Sequence, residues 1–234
     1  MAKNHVVVST SQWLEARKQL LKKEKEFTRL RDELSQQRRD LPWEAVDKHY
    51  VFEGPNGKQT LAELFDGRSQ LVIYHFMFGP TWDAGCPRCT FWADNFNNII
   101  VHLNHRDVTM IAVSRAPYQK LSAYHRRMGW NFKWCSSFET DFNFDCHVSF
   151  TPQEQAAKQA FYNYTTQDPR NSEREGISVF YKDSTGAVFH TYSTYARGLD
   201  MLNVAYHYLD LVPKGRDEGD NGPSWVRRRD EYDR

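Results

Sequence analysis

Apolar residues return at every seventh position in Trp13, Leu20, Phe27, Leu34 and Leu41, with Leu14, Leu21 and Leu30 widening the stripe. This spacing predicts one long helix with a single buried seam. Ser9, Thr10 and Ser11 offer caps at its start, and Pro42 disfavours its continuation beyond about Asp40. Its other faces are charged, as in Lys22-Lys23-Glu24-Lys25-Glu26. Residues 1–41 hold ten basic and six acidic side chains, interleaved in the manner of a solvated face rather than a nucleic-acid-binding arm. The other heptad core row contains Lys23 and Gln37, which makes it poor for a coiled coil. The seam leaves two arrangements open, packing on the same chain or a homodimer through this helix.

After Trp43 the pattern changes to short strands and helices. Tyr50-Val51-Phe52 followed by Glu53-Gly54-Pro55-Asn56-Gly57-Lys58 reads as a hairpin, and Thr60 can cap a short helix through Phe65. The near-continuous apolar run Gln70 to Phe78 predicts a strand buried on both faces. A loop, Gly79 to Gly85, leads into Cys86-Pro87-Arg88-Cys89 and a helix from about Cys89 to Leu103. Val108 to Val113 reads as a second buried strand, Tyr118 to Met128 as a helix, and Gln153 to about Tyr162 as another helix behind Pro152. Ile177–Tyr181 and Ala187–Tyr192 flank Lys182-Asp183-Ser184-Thr185-Gly186, a hairpin signal. Leu199 to Leu209 predicts a closing helix that Pro213 ends. The expected organisation is an N-terminal helical extension at 1–41, a main domain at 42–212, and a polar, mobile or surface-draped tail at 213–234.

Composition narrows the function classes. Thirty-one Lys and Arg against thirty Asp and Glu leave a formal charge of +1, so no global field draws the chain to nucleic acid or an anionic membrane. Apolar runs such as Leu71 to Phe78 are too short to span a bilayer, and the first residues lack the pattern of a signal peptide. The expected location is cytoplasmic. In a reducing compartment four cysteines are not structural staples, and a CxxC is catalytic or metal-binding.

A cysteine at a helix start meets unsatisfied backbone N–H groups that favour thiolate over thiol. The two-residue spacing then lets the second sulfur resolve a mixed disulfide on the first. Cys86 is the expected attacker and Cys89 the resolving thiol. Pro87 suits the first helical turn and Arg88 adds positive charge beside the thiolate. Trp82 and Trp92 bracket the motif as walls of a groove or as core aromatics, while Asp83 and Asp94 are candidate proton acceptors for Cys89. Arg115 and Arg197 are candidates for binding an anion or steadying a thiolate. His75 reads as a satisfied core histidine, and Cys135 and Cys146 as small buried hydrophobes. A zinc half-site would need two more ligands, and Cys135, Cys146 and His147 do not form a second CxxC. Neither metal nor cofactor is expected. The implied partner is a protein or small-molecule disulfide or thiol. A non-catalytic binding protein and a thiol peroxidase-like protein are the alternatives.

Several stretches carry a resemblance. Leu41-Pro42-Trp43, Tyr50-Val51-Phe52-Glu53-Gly54-Pro55, Tyr74-His75-Phe76-Met77-Phe78-Gly79-Pro80, Cys86-Pro87-Arg88-Cys89-Thr90-Phe91-Trp92-Ala93-Asp94 and Ala112-Val113-Ser114-Arg115-Ala116-Pro117 are among them. So are His190-Thr191-Tyr192-Ser193-Thr194-Tyr195-Ala196-Arg197-Gly198-Leu199-Asp200 and Trp225-Val226-Arg227-Arg228. Together they resemble the bacterial domain-of-unknown-function 899 family. That resemblance implies an α/β, thioredoxin-like fold, a mixed central sheet flanked by helices, with the long N-terminal helix added. Thioredoxins place a cis-proline at the start of a later strand, where this chain has Glu175-Gly176 before Ile177. Peroxiredoxins place Pro and Thr seven and three residues before the peroxidatic cysteine, where this chain has Gly79 and Asp83.

Overall fold

The computed structural model describes residues 5–219 and 222–232. Helix α1 spans Thr10–Arg39. Ser9 caps it by accepting the Gln12 N–H, and the Gln12 side chain accepts the Ser9 N–H in return. The seam expected to be buried is exposed, with Trp13 at 58% and Phe27 at 64%. None of the helix residues is buried. The reason lies just beyond the helix, where Trp43 stacks on Tyr181 and Phe189 at 4.9 and 5.8 Å and takes the apolar surface nearest the helix end. Arg38 reaches back over the Tyr192 ring, and the apolar stripe of the helix is left exposed.

Along the chain follow β1 (Glu44–Ala45), β2 (Val51–Gly54), β3 (Gly57–Thr60), β4 (Gln70–His75), α2 (Pro87–Ala93), α3 (Ile100–His105), β5 (Val108–Ser114) and α4 (Tyr118–Met128). Then come β6 (Lys133–Ser136), α5 (Phe142–Asp145), α6 (Pro152–Ala157), β7 (Ala160–Tyr162), β8 (Thr165–Gln167), β9 (Gly176–Lys182), β10 (Val188–Tyr195) and α7 (Val204–Leu209). Among the described residues the main sheet runs β1-β10-β9-β4-β5-β6-β2-β3. Strands β4, β5 and β6 are parallel, and the remaining pairings are antiparallel. This is the mixed, thioredoxin-like α/β sheet that the resemblance implies.

Strand alternation divides β4 between two cores. Leu71 and Ile73 face one side, with Phe52, Phe65, Val113 and Phe142. Tyr74 faces the other, with Cys89, Phe96, Trp130 and Trp134. The second layer carries Cys86 and Cys89, and α2 and α4 pack there.

The structure departs from the sequence pattern in three places that matter for the site. The helix expected from Cys89 to Leu103 is broken after Ala93, because the Asn95 side chain takes the Phe91 and Trp92 carbonyls that a continuing helix would use. The helix expected through Tyr162 stops at Ala157. Lys158 turns left-handed at φ 53, and β7 and β8 form a hairpin about Asn163 and Tyr164, both at positive φ. The closing helix begins as a tight 3-10 segment, Ala196–Leu202, and α7 restarts on an Asn203 cap. Beyond α7 the tail lies on the surface yet buries Val226 and places Trp225 on Phe91, beside α2. Among the described residues no helix is long and apolar enough to cross a membrane.

Candidate active site at the CPRC turn

Beyond β4 the chain stays extended, and Phe76 N–H donates to Val113 O. Three residues later in this stretch the loop doubles back, so that Cys86 N–H donates to Met77 O at 3.0 Å. Met77 N–H in turn donates to Cys89 Sγ at 3.4 Å. The turn is held below by Thr90, whose hydroxyl donates to Cys86 O at 2.9 Å and lies 2.8 Å from the Tyr124 hydroxyl. It is held above by Arg228 from the tail, which donates to Gly85 O at 3.1 and 2.8 Å. Residue 85 has to be glycine, because a Cβ there would stand 2.7 Å from the Phe76 ring.

Cys86 is the N-cap of α2, with Pro87 at the first helical position. Cys86 is half-buried and Cys89 is buried. A hydrogen bond from the Cys89 thiol, joined by the backbone N–H groups of Cys89 and Arg88, brings Cys86 down to about 7 against the opposing effects of burial and Glu175. Burial pushes Cys89 well above the usual thiol range, and the Cys86 and Glu175 charges add to the effect. The Tyr74 hydroxyl, itself buried, bonds the Cys89 sulfur. The two sulfurs thus have opposite acid–base character.

Both line a cavity of about 1290 Å³, together with Tyr74, Trp92, Glu175 and the tail residue Val226. Glu175 is held in place by its backbone and its neighbours. Tyr162 OH donates to Glu175 O at 2.9 Å, and Arg174 stacks 4.2 Å over the Tyr162 ring with its guanidinium 3.8 Å from the Glu175 carboxylate. Gly176 next to it has no room for a side chain, since a Cβ would meet Tyr195 at 2.8 Å. On the tail side Arg216 bridges Asp200 and Asp210 at 2.9 and 2.8 Å and stacks on Tyr206.

Of the residues singled out from sequence, Cys86, Pro87, Arg88, Cys89, Trp92 and Arg197 line this cavity. Trp92 is fixed by donating to Leu199 O at 2.9 Å, and Arg197 is a rim residue with a side chain 88% exposed. The others lie elsewhere. Trp82 packs over Gly79, where a Cβ would sit 2.9 Å from its indole nitrogen, and Asp83 is exposed. Asp94 accepts from Trp130 Nε1 at 2.8 Å, away from Cys89. Arg115 pairs with buried Glu173 at 3.1 Å and lies over Phe144, so it is structural. Cys135 and Cys146 are pushed by burial to about 12. His75 is buried in the core as expected, with Nε2 2.8 Å from Ser178 Oγ, but it is only half satisfied, since its buried Nδ1 has no hydrogen-bond partner among the described residues.

Tyr74, Glu175 and the tail were not picked out as site residues. For Glu175 the signal was its position before β9, where thioredoxins carry proline. For Tyr74 it was the polar tip of an otherwise apolar strand.

Comparison with solved structures finds peroxiredoxin Q of Xanthomonas campestris at 16% identity, covering 71% of this chain and 96% of that one, with a TM-score of 0.45. Peroxidoxin BcpB from Mycobacterium tuberculosis aligns at 13% identity over 70% of this chain and 94% of that one, TM-score 0.41. The mitochondrial 2-Cys peroxiredoxin from Plasmodium falciparum aligns at 12% over 72% and 93%, TM-score 0.42. Comparison with curated proteins finds no match. The family model for DUF899, bacterial protein of unknown function, matches residues 2–232. The chain with this CPRC turn at the foot of a tail-walled cavity belongs to the DUF899 family of bacterial proteins.

Proposed function

We propose that the chain is a thiol–disulfide oxidoreductase in which Cys86 attacks and Cys89 resolves. The observation that carries this reading is geometric: Cys86 caps α2 half-buried at a cavity wall, and Cys89, buried one helical turn on, lines the same cavity. Cys86 thiolate attacks one sulfur of a substrate disulfide, the substrate S–S bond breaks, and half of the substrate leaves as a thiolate that water protonates. Cys89 then gives up its proton and attacks the Cys86 sulfur, which releases the second half of the substrate as a thiol. Two electrons pass from the dithiol to the substrate, and the protein is left with a Cys86–Cys89 disulfide.

Cys89 needs a proton acceptor at the moment of its attack, because its thiol is the weaker acid. Asp200, Asp210, Asp217 and Glu218 also line the cavity, but Glu175 is the carboxylate whose charge both sulfurs feel, which suits it to that task, and the Tyr74 hydroxyl steadies the Cys89 sulfur as charge develops on it. Asp83 and Asp94 are too displaced to serve. Arg88 adds a cation at the cavity rim, beside Cys86.

Reaction of the reduced chain with hydroxyethyl disulfide, followed by intact-mass measurement, tests the reading. The wild type should end as an intramolecular disulfide, Cys89→Ser should stop at one adduct on Cys86, and Cys86→Ser should form no adduct. An adduct elsewhere, or no reaction in the wild type, would overturn it.

A further inference from the structure

The 30 residues of α1 span ~45 Å at 1.5 Å per residue. In proteins most helical stability comes from packing an apolar face, and this helix leaves its whole apolar stripe bare. Leu20 is 52% exposed, Leu30 53%, Leu34 42% and Leu41 45%, in addition to Trp13 and Phe27. A strict seven-residue repeat drifts around a straight helix and stays in contact only with a partner that supercoils with it left-handedly. The domain does not provide that path, because among the described residues Arg38 meets it near the helix end while the stripe residues stay exposed.

The charges beside the seam identify the occupant. One residue before each seam position stand Gln12, Gln19, Glu26, Glu33 and Asp40, a neutral-to-acidic row. Four residues after the seam positions stand Arg17, Glu24, Arg31 and Arg38, a mostly basic row. In a parallel pair in register, the first row of one copy faces the second row of the other, five residues further on. The pairs are then Gln12 with Arg17, Gln19 with Glu24, Glu26 with Arg31 and Glu33 with Arg38, none of like charge. An antiparallel pair would set the neutral-to-acidic row against itself and the mostly basic row against itself, a repulsion relieved only where Glu24 meets an arginine.

The second core row, Ala16, Lys23, Leu30 and Gln37, is weakly apolar. In the parallel pair, however, Lys23 packs next to Glu24 of the other copy, with its stem over the seam and its ammonium outward. Gln37 meets its own copy's amide across the axis. Polar core positions of this kind lower stability and fix register. Leu14 and Leu21 widen the stripe at the N-terminal end only.

We propose that a second copy of this chain covers the stripe, as a parallel, in-register two-stranded coiled coil over residues 13–41. The CPRC cavity of each copy lies in its own domain, so this proposal stands apart from the catalytic reading. Sedimentation equilibrium on the full chain should give twice the 27.6 kDa chain mass. Leu20→Asp should raise the dimer dissociation constant by at least roughly a hundredfold, with the near-UV spectrum of the domain unchanged. Glu26→Lys with Glu33→Lys should weaken self-association, and mixing that variant with the Arg31→Glu, Arg38→Glu variant should restore a dimer. Leu34→Cys, in a Cys86→Ser, Cys89→Ser background, should form an intermolecular disulfide on mild oxidation. A monomeric or trimeric wild type, no rescue on mixing, or no Leu34→Cys cross-link would overturn the proposal.

Discussion

Removing the Cys89 sulfur is the sharpest test of how the CPRC turn makes a nucleophile. Cys86 falls from an ordinary 9.0 to about 7, and the largest cause is the hydrogen bond from the Cys89 thiol. At pH 7 a thiol of pKa 7 is about half ionised and one of pKa 9 about 1% ionised, roughly a fiftyfold difference in thiolate. Intrinsic nucleophilicity falls with pKa by a Brønsted slope of about 0.4–0.5, so two units return roughly a factor of eight. The net gain at pH 7 is then about sixfold over an unperturbed thiol.

Cys89→Ala removes that donor and leaves the backbone N–H groups of residues 88 and 89, so the midpoint should rise from about 7 toward, but short of, 9.0. The assay is the second-order rate of reaction with a neutral aromatic disulfide from pH 5 to 10, read by absorbance. Cys135 and Cys146, pushed to about 12 by burial, should stay silent across most of that range. The wild-type rate should rise with a midpoint near 7, and the variant should be slower at pH 7 and faster above pH 9. A wild-type midpoint near 9, or the same midpoint in both proteins, would rule out the Cys89 thiol as the source of the Cys86 acidity. Glu175→Gln gives an independent check of sign, since its charge opposes the Cys86 thiolate and its loss should move the midpoint lower still.

Three further outcomes follow from the packing. Arg228→Ala removes both hydrogen bonds to Gly85 O and should cost about 1–3 kcal/mol by urea unfolding, while Cys86 reacts several-fold faster with a bulky maleimide. Glu173→Ala should cost about 2–4 kcal/mol by stranding Arg115 and Ser149, yet leave the Cys86 titration midpoint unmoved; a shifted midpoint would return Arg115 to the site. His75 is held by burial down to about 3 from 6.5, so it adds stability above pH 6.5 that is lost as pH falls toward 3. His75→Leu should therefore flatten the acid limb of stability against pH, with Ser178 still bonded to Ser193 at 3.1 Å; an unchanged acid limb would contradict a buried neutral histidine.

Local chemistry made much of the fold legible. Helix α4 ends where Gly129 turns left-handed at φ 62, as a glycine after a helical pattern predicts. The Asp183 side chain accepts from Thr185 and Ala187 N–H and closes the β9–β10 turn, again a signal within a few residues. The misread segments depended on distant partners. The pattern through Tyr162 is helical by spacing, but Tyr162 is drawn into a buried cluster with Phe150 and Tyr195 and makes a strand instead. The tail carries twelve charged side chains between Lys214 and Arg234, and nothing near Val226 in sequence says that Phe91 and Gly85 wait to receive its neighbours. The α1 seam is legible in the sequence, but its exposure is not, because it depends on Trp43 rather than the helix packing on Tyr181 and Phe189.

The residue that most changes the reading of the CPRC turn owes its place to register alone. β4 and β9 pair antiparallel so that His75 lies opposite Gly176 and Tyr74 opposite Ile177. The pleat that sends Tyr74 toward Cys89 therefore brings the start of β9, and Glu175 just before it, to the same end of the sheet. A proline at residue 175 would offer a substrate only a rigid backbone surface. A carboxylate there adds negative charge that both sulfurs feel, a burden on the Cys86 thiolate and, in the proposed exchange, a proton acceptor for Cys89. Cys86 tolerates the burden because it lies where three donors converge, whereas Cys89 has burial against it and gains most from a nearby base. In the proposed exchange, the same two thiols set one turn apart become attacker and resolver through depth and a carboxylate, in a cavity that the tail helps to wall.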